Sequence, residues 1–180
     1  MKKRIITLLM ILAMTVFFSG CRSGGSQVDS DSEGKKAENR VVQATINDPR
    51  QNASWTKIEE VKIDLDRDGR EDTLGLYTTA QRDEQGNMMW DDGQNWLLLV
   101  QSGAQFYPLM AEYVQLGSVY FTVSKYIEDG TIKVSTIVPT GANLSLVNYH
   151  FDWEKEGFVE ESLYSAREDN FIYSSIPMYK

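Results

Sequence analysis

The stretch Asp64-Leu65-Asp66-Arg67-Asp68-Gly69-Arg70-Glu71-Asp72 sets aspartates at alternate positions around one glycine. A hard divalent cation takes about six to eight oxygens at about 2.3–2.6 Å, and a tightly curled loop with acids at its first, third and fifth positions turns them toward a common centre. On that pattern Asp64, Asp66 and Asp68 donate side-chain oxygens, Arg70 donates its backbone carbonyl, and Asp72 completes the set directly or through water. Gly69 permits the bend after the third acid. Calcium is the expected occupant. Magnesium asks for a stricter octahedron and keeps more of its waters, and transition metals ask for imidazole or thiolate, which this stretch lacks. The competing reading is a solvated acidic turn, since Asp and Gly are common turn residues. Mutual repulsion of the carboxylates opposes it, because Arg67 and Arg70 offset only part of the crowded negative charge.

The nine residues resemble the D-x-D-x-D-G-x-x-D loops of calcium-binding repeats of the FG-GAP and VCBS type, which dockerins and EF-hands share in part. The twelfth position is Gly75 where an EF-hand has a bidentate glutamate, and the flanks read as strands, which favours the strand-loop-strand relatives. FG-GAP repeats build propellers, but one such loop in 180 residues cannot furnish four or more blades, so a full propeller is excluded. The resemblance implies a site with an affinity of about 10⁻⁴–10⁻³ M, a structural staple more than a switch.

The elements holding this loop repeat with a period of two. Val61, Ile63 and Leu65 alternate with polar residues before it, and Leu74 and Leu76 resume the alternation after it, as paired strands with one buried face require. Trp96 to Val100 is a continuous apolar run between Gly93 and Gly103, expected for a central strand buried on both faces. Val119, Phe121 and Val123 form one strand, and Ile132, Val134, Thr136 and Val138 its partner across Glu128-Asp129-Gly130, where the Asp-Gly pair points to a tight hairpin. Val147, Tyr149, Phe151 and Trp153 pair with the run from Phe158 across Glu154 to Gly157, and the phase shift after Leu144 and Leu146 implies a turn or bulge. Gln105 to Gln115 has a weak helical pattern through Phe106, Met110 and Val114, against which Pro108 argues. Successive hairpins predict a mainly β chain, a single antiparallel meander over residues 41–180 folded as a sandwich or partly open barrel.

Other reactive groups are sparse. His150 is the only histidine, sits opposite the alternating apolar set and reads as a surface residue. Without a second histidine or a Gly-x-Ser-x-Gly elbow, the usual nucleophilic constellations cannot be assembled. The segment from Gln81 to Asn95 carries Met88, Met89 and Trp90 among acids, either a loop that contacts a partner or a short hairpin folded back over the core. Trp55, Trp90, Trp96 and Trp153 read as packing aromatics before they read as a platform for sugar rings. These residues favour a non-catalytic binding or structural module contacting a protein or wall polymer. The alternative is a small extracytoplasmic metal-assisted hydrolase, which needs a pocket beside residues 64–72.

The first residues address the chain. Lys2, Lys3 and Arg4 precede an apolar run from Ile5 to Phe18, then Ser19 and Gly20, the order of an export leader. That run is too short to cross the roughly 30 Å hydrocarbon core of a membrane. Phe18-Ser19-Gly20-Cys21 resembles the lipobox of bacterial lipoproteins, with Phe18 in place of the usual Leu. The resemblance implies cleavage after residues 1–20, lipid on Cys21 and a protein held to the membrane facing outside the cytoplasm. Cys21 is the only cysteine, so no intramolecular disulfide competes for it. Residues 21–40 are Ser, Gly, Gln, Asp, Glu and Lys with few apolar side chains, and the glycines at 24, 25 and 34 oppose a helix through Glu33 to Glu38. Such a stretch is expected to be a disordered linker. The formal charge is −8, and loss of the three basic leader residues takes it to −11. Nucleic acid is not an expected partner, because phosphate binding needs a basic stripe and none is visible.

Overall fold

In the computed structural model residues 39–166 and 175–176 are described. The leader at 1–20, Cys21 and the linker as far as residue 38 lie outside the described residues.

The chain is mainly β and antiparallel throughout. Its strands are β1 (Val41–Gln43), β2 (Thr56–Ile63), β3 (Asp72–Thr78), β4 (Gln81–Arg82), β5 (Met88–Met89), β6 (Gly93–Ser102), β7 (Gln105–Gln115), β8 (Tyr120–Lys125), β9 (Ile132–Pro139), β10 (Leu144–Asp152) and β11 (Gly157–Ser165). One sheet has the order β1-β11-β10-β9-β8 and the other β2-β3-β6-β7, while β4 and β5 form a small hairpin of their own. None of these sheets closes on itself. A bridge from Thr45 to Phe106 ties the two larger sheets along one side, with backbone bonds of 2.8 and 2.9 Å in the two directions.

The inward side chains of both sheets meet in one core. Leu74, Leu98, Val100 and Leu109 from the smaller sheet pack with Val134, Tyr149 and Phe158 from the larger. Each side chain of this size removed from water contributes about 1.5–3 kcal/mol, which is why the period-two alternation fixes register so strongly. β6 is the central strand its unbroken apolar run predicts. Its outward residues Leu97 and Leu99 join Tyr77 in a second cluster, against which Trp55 and Phe106 pack. Arg50, in the 3-10 turn Pro49–Asn52, lies 5.7 Å from the Tyr77 ring centroid and 5.6 Å from that of Phe106. The outer face of β6 is therefore covered by the connection between β1 and β2.

One stretch that the sequence left unassigned and one turn that it drew too tightly take a definite form. Gln105 to Gln115 is all strand, and Pro108 sits where the β6–β7 register shifts opposite Leu98 and Leu99, the place in a ladder where a missing N–H costs least. The β8–β9 connection is wider than a two-residue hairpin: Tyr126 N–H donates to Thr131 at 2.8 Å and Gly130 N–H to Tyr126 at 2.9 Å, with Gly130 alone at positive φ (+74°). The phase shift in β10 is a bulge between Leu146 and Val147.

Candidate metal centre

The acidic loop closes the β2–β3 hairpin. Ile63 pairs with Asp72 at its base, so the eight residues between must turn within the width of one ladder rung. Leu65 anchors the turn by entering the core at 2 % exposure, and its N–H donates to Asp72 at 2.9 Å. Positive φ at Arg67 (65°) and Gly69 (88°) curls the backbone back over the acids. Asp64 accepts from the N–H groups of Asp68 and Gly69 at 3.1 and 3.0 Å, and Asp66 accepts from Asp68 N–H at 2.9 Å. These bonds point the carboxylates inward before any cation arrives.

Three of the sequence-predicted ligands converge. One carboxylate oxygen from each of Asp64, Asp66 and Asp72 lies within 4.8 Å of the others. Asp72 is buried and Asp64 and Asp66 are half-buried, an arrangement in which uncompensated negative charge is costly. The carboxyl of Asp66 is pushed above its ordinary range, first by burial and then by repulsion from Asp72, Asp68 and Asp64, against the opposing Asp68 N–H bond. Each carboxylate oxygen has two lone pairs, so accepting one backbone N–H leaves it able to bind a cation as well. An all-oxygen donor set of this kind fits a hard divalent ion and lacks the nitrogen or sulfur that zinc or copper prefers.

Asp68 is directed elsewhere. Its carboxylate accepts from Arg70 Nε at 2.7 Å, from Arg70 Nη2, and from the Arg70 backbone N–H at 2.8 Å. The Arg70 guanidinium holds the Asp68 carboxyl below its ordinary range. The Arg70 side chain thus acts on Asp68.

Two contacts were not legible in the loop's own sequence. Trp153, in the turn after β10, donates its indole N–H to the backbone carbonyl of Asp66 at 2.9 Å, and Arg67 donates to the carbonyl of Asp129 at 3.1 Å. Both tie the loop to the other sheet. Beside it lies a cavity of about 280 Å³ lined by Leu65, Asp66, Arg67, Ile132, Phe151 and Trp153, in which Asp66 is the one carboxylate.

The second predicted group is dispersed. Met88 is half-buried and Met89 exposed on the β4–β5 hairpin, while Trp90 stacks on Trp96 with centroids 5.8 Å apart. The four tryptophans form no common platform: Trp96 is in the core, Trp55 packs on the outer face of β6, and Trp153 is at the acidic loop. His150 is half-buried in β10, with Nδ1 enclosed and unbonded among the described residues.

No protein family, curated protein or solved structure matches the chain.

Proposed function

We propose that this chain is a membrane-anchored extracytoplasmic lipoprotein, held by lipid on Cys21, whose β domain binds calcium in the β2–β3 loop and serves as a binding or structural module. The observation that carries the calcium reading is the approach of Asp64, Asp66 and Asp72 to within 4.8 Å in a half-buried setting, with no salt bridge to any of the three among the described residues. A divalent ion relieves their repulsion and locks the hairpin against the larger sheet. The anchor rests on the residues around Cys21, and outward-facing calcium at millimolar levels suits a site of modest affinity. The small cavity beside the loop offers one carboxylate, which favours a structural ion over metal-assisted hydrolysis. The module's contact with a protein or wall polymer is assigned to its loops, with Met88, Met89 and Trp90 the candidate contact residues, of which Met89 is the most exposed.

Thermal melting of the full chain in 5 mM calcium and in excess chelator tests the metal. At roughly tenfold excess over Kd the ion stabilises by about 1.4 kcal/mol, a shift of several degrees. Coincident melting curves would remove the calcium from the proposal. Radiolabelled palmitate on the wild type but not on Cys21→Ser tests the anchor separately.

A further inference from the structure

The two larger sheets make one ribbon. Backbone pairing runs from β8 through β9, β10, β11 and β1, crosses the Thr45–Phe106 bridge to β7, and continues through β6 and β3 to β2. Those are nine strands, each antiparallel to the last. An odd number in strict alternation means that the two end strands, β2 and β8, run in the same direction. Direct closure would join them in parallel. A single added strand running opposite to both completes an all-antiparallel ring of ten, and closing a ring removes the exposed edges that sheets otherwise have to defend.

A cleft lies at the seam. About 540 Å³ in volume, it is bordered by Ile58, Glu59 and Val61 on β2 and by Tyr120 to Val123 on β8. Side chains of consecutive residues point to opposite faces of a regular strand, so a cleft that touches Tyr120 to Val123 in unbroken register follows the edge of β8, where the backbone N–H and C=O groups lie. Among the described residues, no backbone bond joins either strand to anything beyond its own neighbour, β3 or β9. The cleft is lined apolarly by Leu76, Trp96 and Trp90, the two indoles stacked 5.8 Å apart.

The two edges are unequally defended. β2 carries Lys57, Glu59, Glu60 and Lys62 and a bulge between Lys57 and Glu59, the devices that discourage pairing with another chain. β8 has an uninterrupted register and no charge, proline or bulge from Tyr120 to Ser124. The described strands of a second copy of this chain are each already paired on at least one side, and such a strand cannot enter between two edges. The occupant has to be a strand free on both sides.

We propose that the β2–β8 seam takes one extended peptide segment of a partner protein, antiparallel to both strands, with uncharged apolar side chains at alternate positions facing Leu76 and Trp96. This is strand addition with two receiving edges, in which main-chain bonds supply affinity and the cleft supplies selectivity. It rests on strand parity and the cleft, independently of the acidic loop.

The probes are acetylated nine-residue peptides alternating Thr with Val, Ile, Leu or Tyr, added at up to 1 mM to the full chain, with amide exchange followed by residue. At least one peptide is expected to slow exchange tenfold or more in both 56–63 and 120–125. Two derivatives of it, N-methylated at odd or at even positions, are each expected to bind at least tenfold more weakly, because a strand held on both sides uses both sets of N–H groups. Protection confined to one strand, with one N-methyl series tolerated, would reduce the seam to simple edge addition and overturn the proposal. Undiminished binding of both N-methyl series would make it an apolar ligand cleft, and failure of every peptide to bind would leave no strand site there.

Discussion

The indole N–H of Trp153 donates to the backbone carbonyl of Asp66 at 2.9 Å, joining residues 87 apart in sequence. The bond holds the middle of the acidic loop against the β10–β11 turn, where Trp153 also meets Phe151 edge to face at 5.0 Å. Replacement of Trp153 by Phe keeps the ring and removes the donor. Because Trp153 is 60 % exposed, water takes over part of the carbonyl's bonding, and the expected cost is about 0.5–1 kcal/mol of stability. If the loop is held ready for its ion by this bond, calcium affinity falls about two- to fivefold in the same variant. Isothermal titration at neutral pH measures it, and unchanged affinity with lowered stability would assign the bond to folding alone.

Asp66→Asn should separate the two roles of the loop's charge. Burial and the neighbouring aspartates raise the folded-state Asp66 carboxyl above its ordinary range. A raised carboxyl favours the fold while protonated, so without metal this contribution is present below the unfolded value of about 4 and is lost as pH rises through the folded value. At neutral pH the uncharged amide should therefore melt higher than wild type in chelator, while its stabilisation by 5 mM calcium largely disappears. The side-chain oxygen that accepts from Asp68 N–H is retained, so loop shape is not the variable. Equal calcium shifts in variant and wild type would take Asp66 out of the ligand set.

Much of the sheet was legible because the core demands it. Leu74 and Leu76, the apolar run from Trp96 to Val100, and Val134 against Tyr149 all sit where alternation puts them, whereas Val61, expected on a buried face, is 36 % exposed on the edge strand β2. β7 was obscured because Pro108 and the bulge beside it break the period, and only the partner strand shows that the break falls at a rung that tolerates it. In the candidate site, the Asp64, Asp66 and Asp72 cluster followed from spacing. The turning of Asp68 toward Arg70 did not, since alternate spacing fixes direction only while no nearby cation competes. Trp153 was out of reach for a different reason: its contact depends on how the two sheets stack, which no local pattern encodes.

Gly69 takes φ of +88°, and its N–H donates to Asp64. A Cβ there would meet nothing within 4 Å, so substitution brings backbone strain without a clash. Gly69→Ala should cost about 1–2 kcal/mol, and Gly69→Asn distinctly less, since asparagine tolerates the left-handed region better. Urea unfolding of the two variants side by side checks the order. Equal losses would place the cost in something other than φ.

The far side of the smaller sheet has its own charge device, and it sets an acid limit on stability. Asp48 caps the 3-10 turn by accepting from Arg50 N–H at 3.0 Å, and its two oxygens accept from Arg50 Nε and Nη2 at 2.8 Å each. Arg50 in turn reaches Tyr77 Oη at 3.2 Å and Gln101 at 3.0 Å over the Leu97 and Leu99 cluster. The Arg50 side chain holds the Asp48 carboxyl below its ordinary range. A lowered carboxyl stabilises the fold above the unfolded value of about 4, and that contribution is lost as pH falls from there through the folded value. Asp48→Ala should therefore be less stable than wild type by about 1–2 kcal/mol at pH 7, combining a lost cap with a partly screened ion pair. The gap should narrow below pH 4 as the wild-type carboxylate takes up its proton. Urea unfolding of both proteins from pH 7 down to pH 2.5 gives the comparison, and a gap that stays constant with pH would show that Asp48 contributes by shape and not by charge.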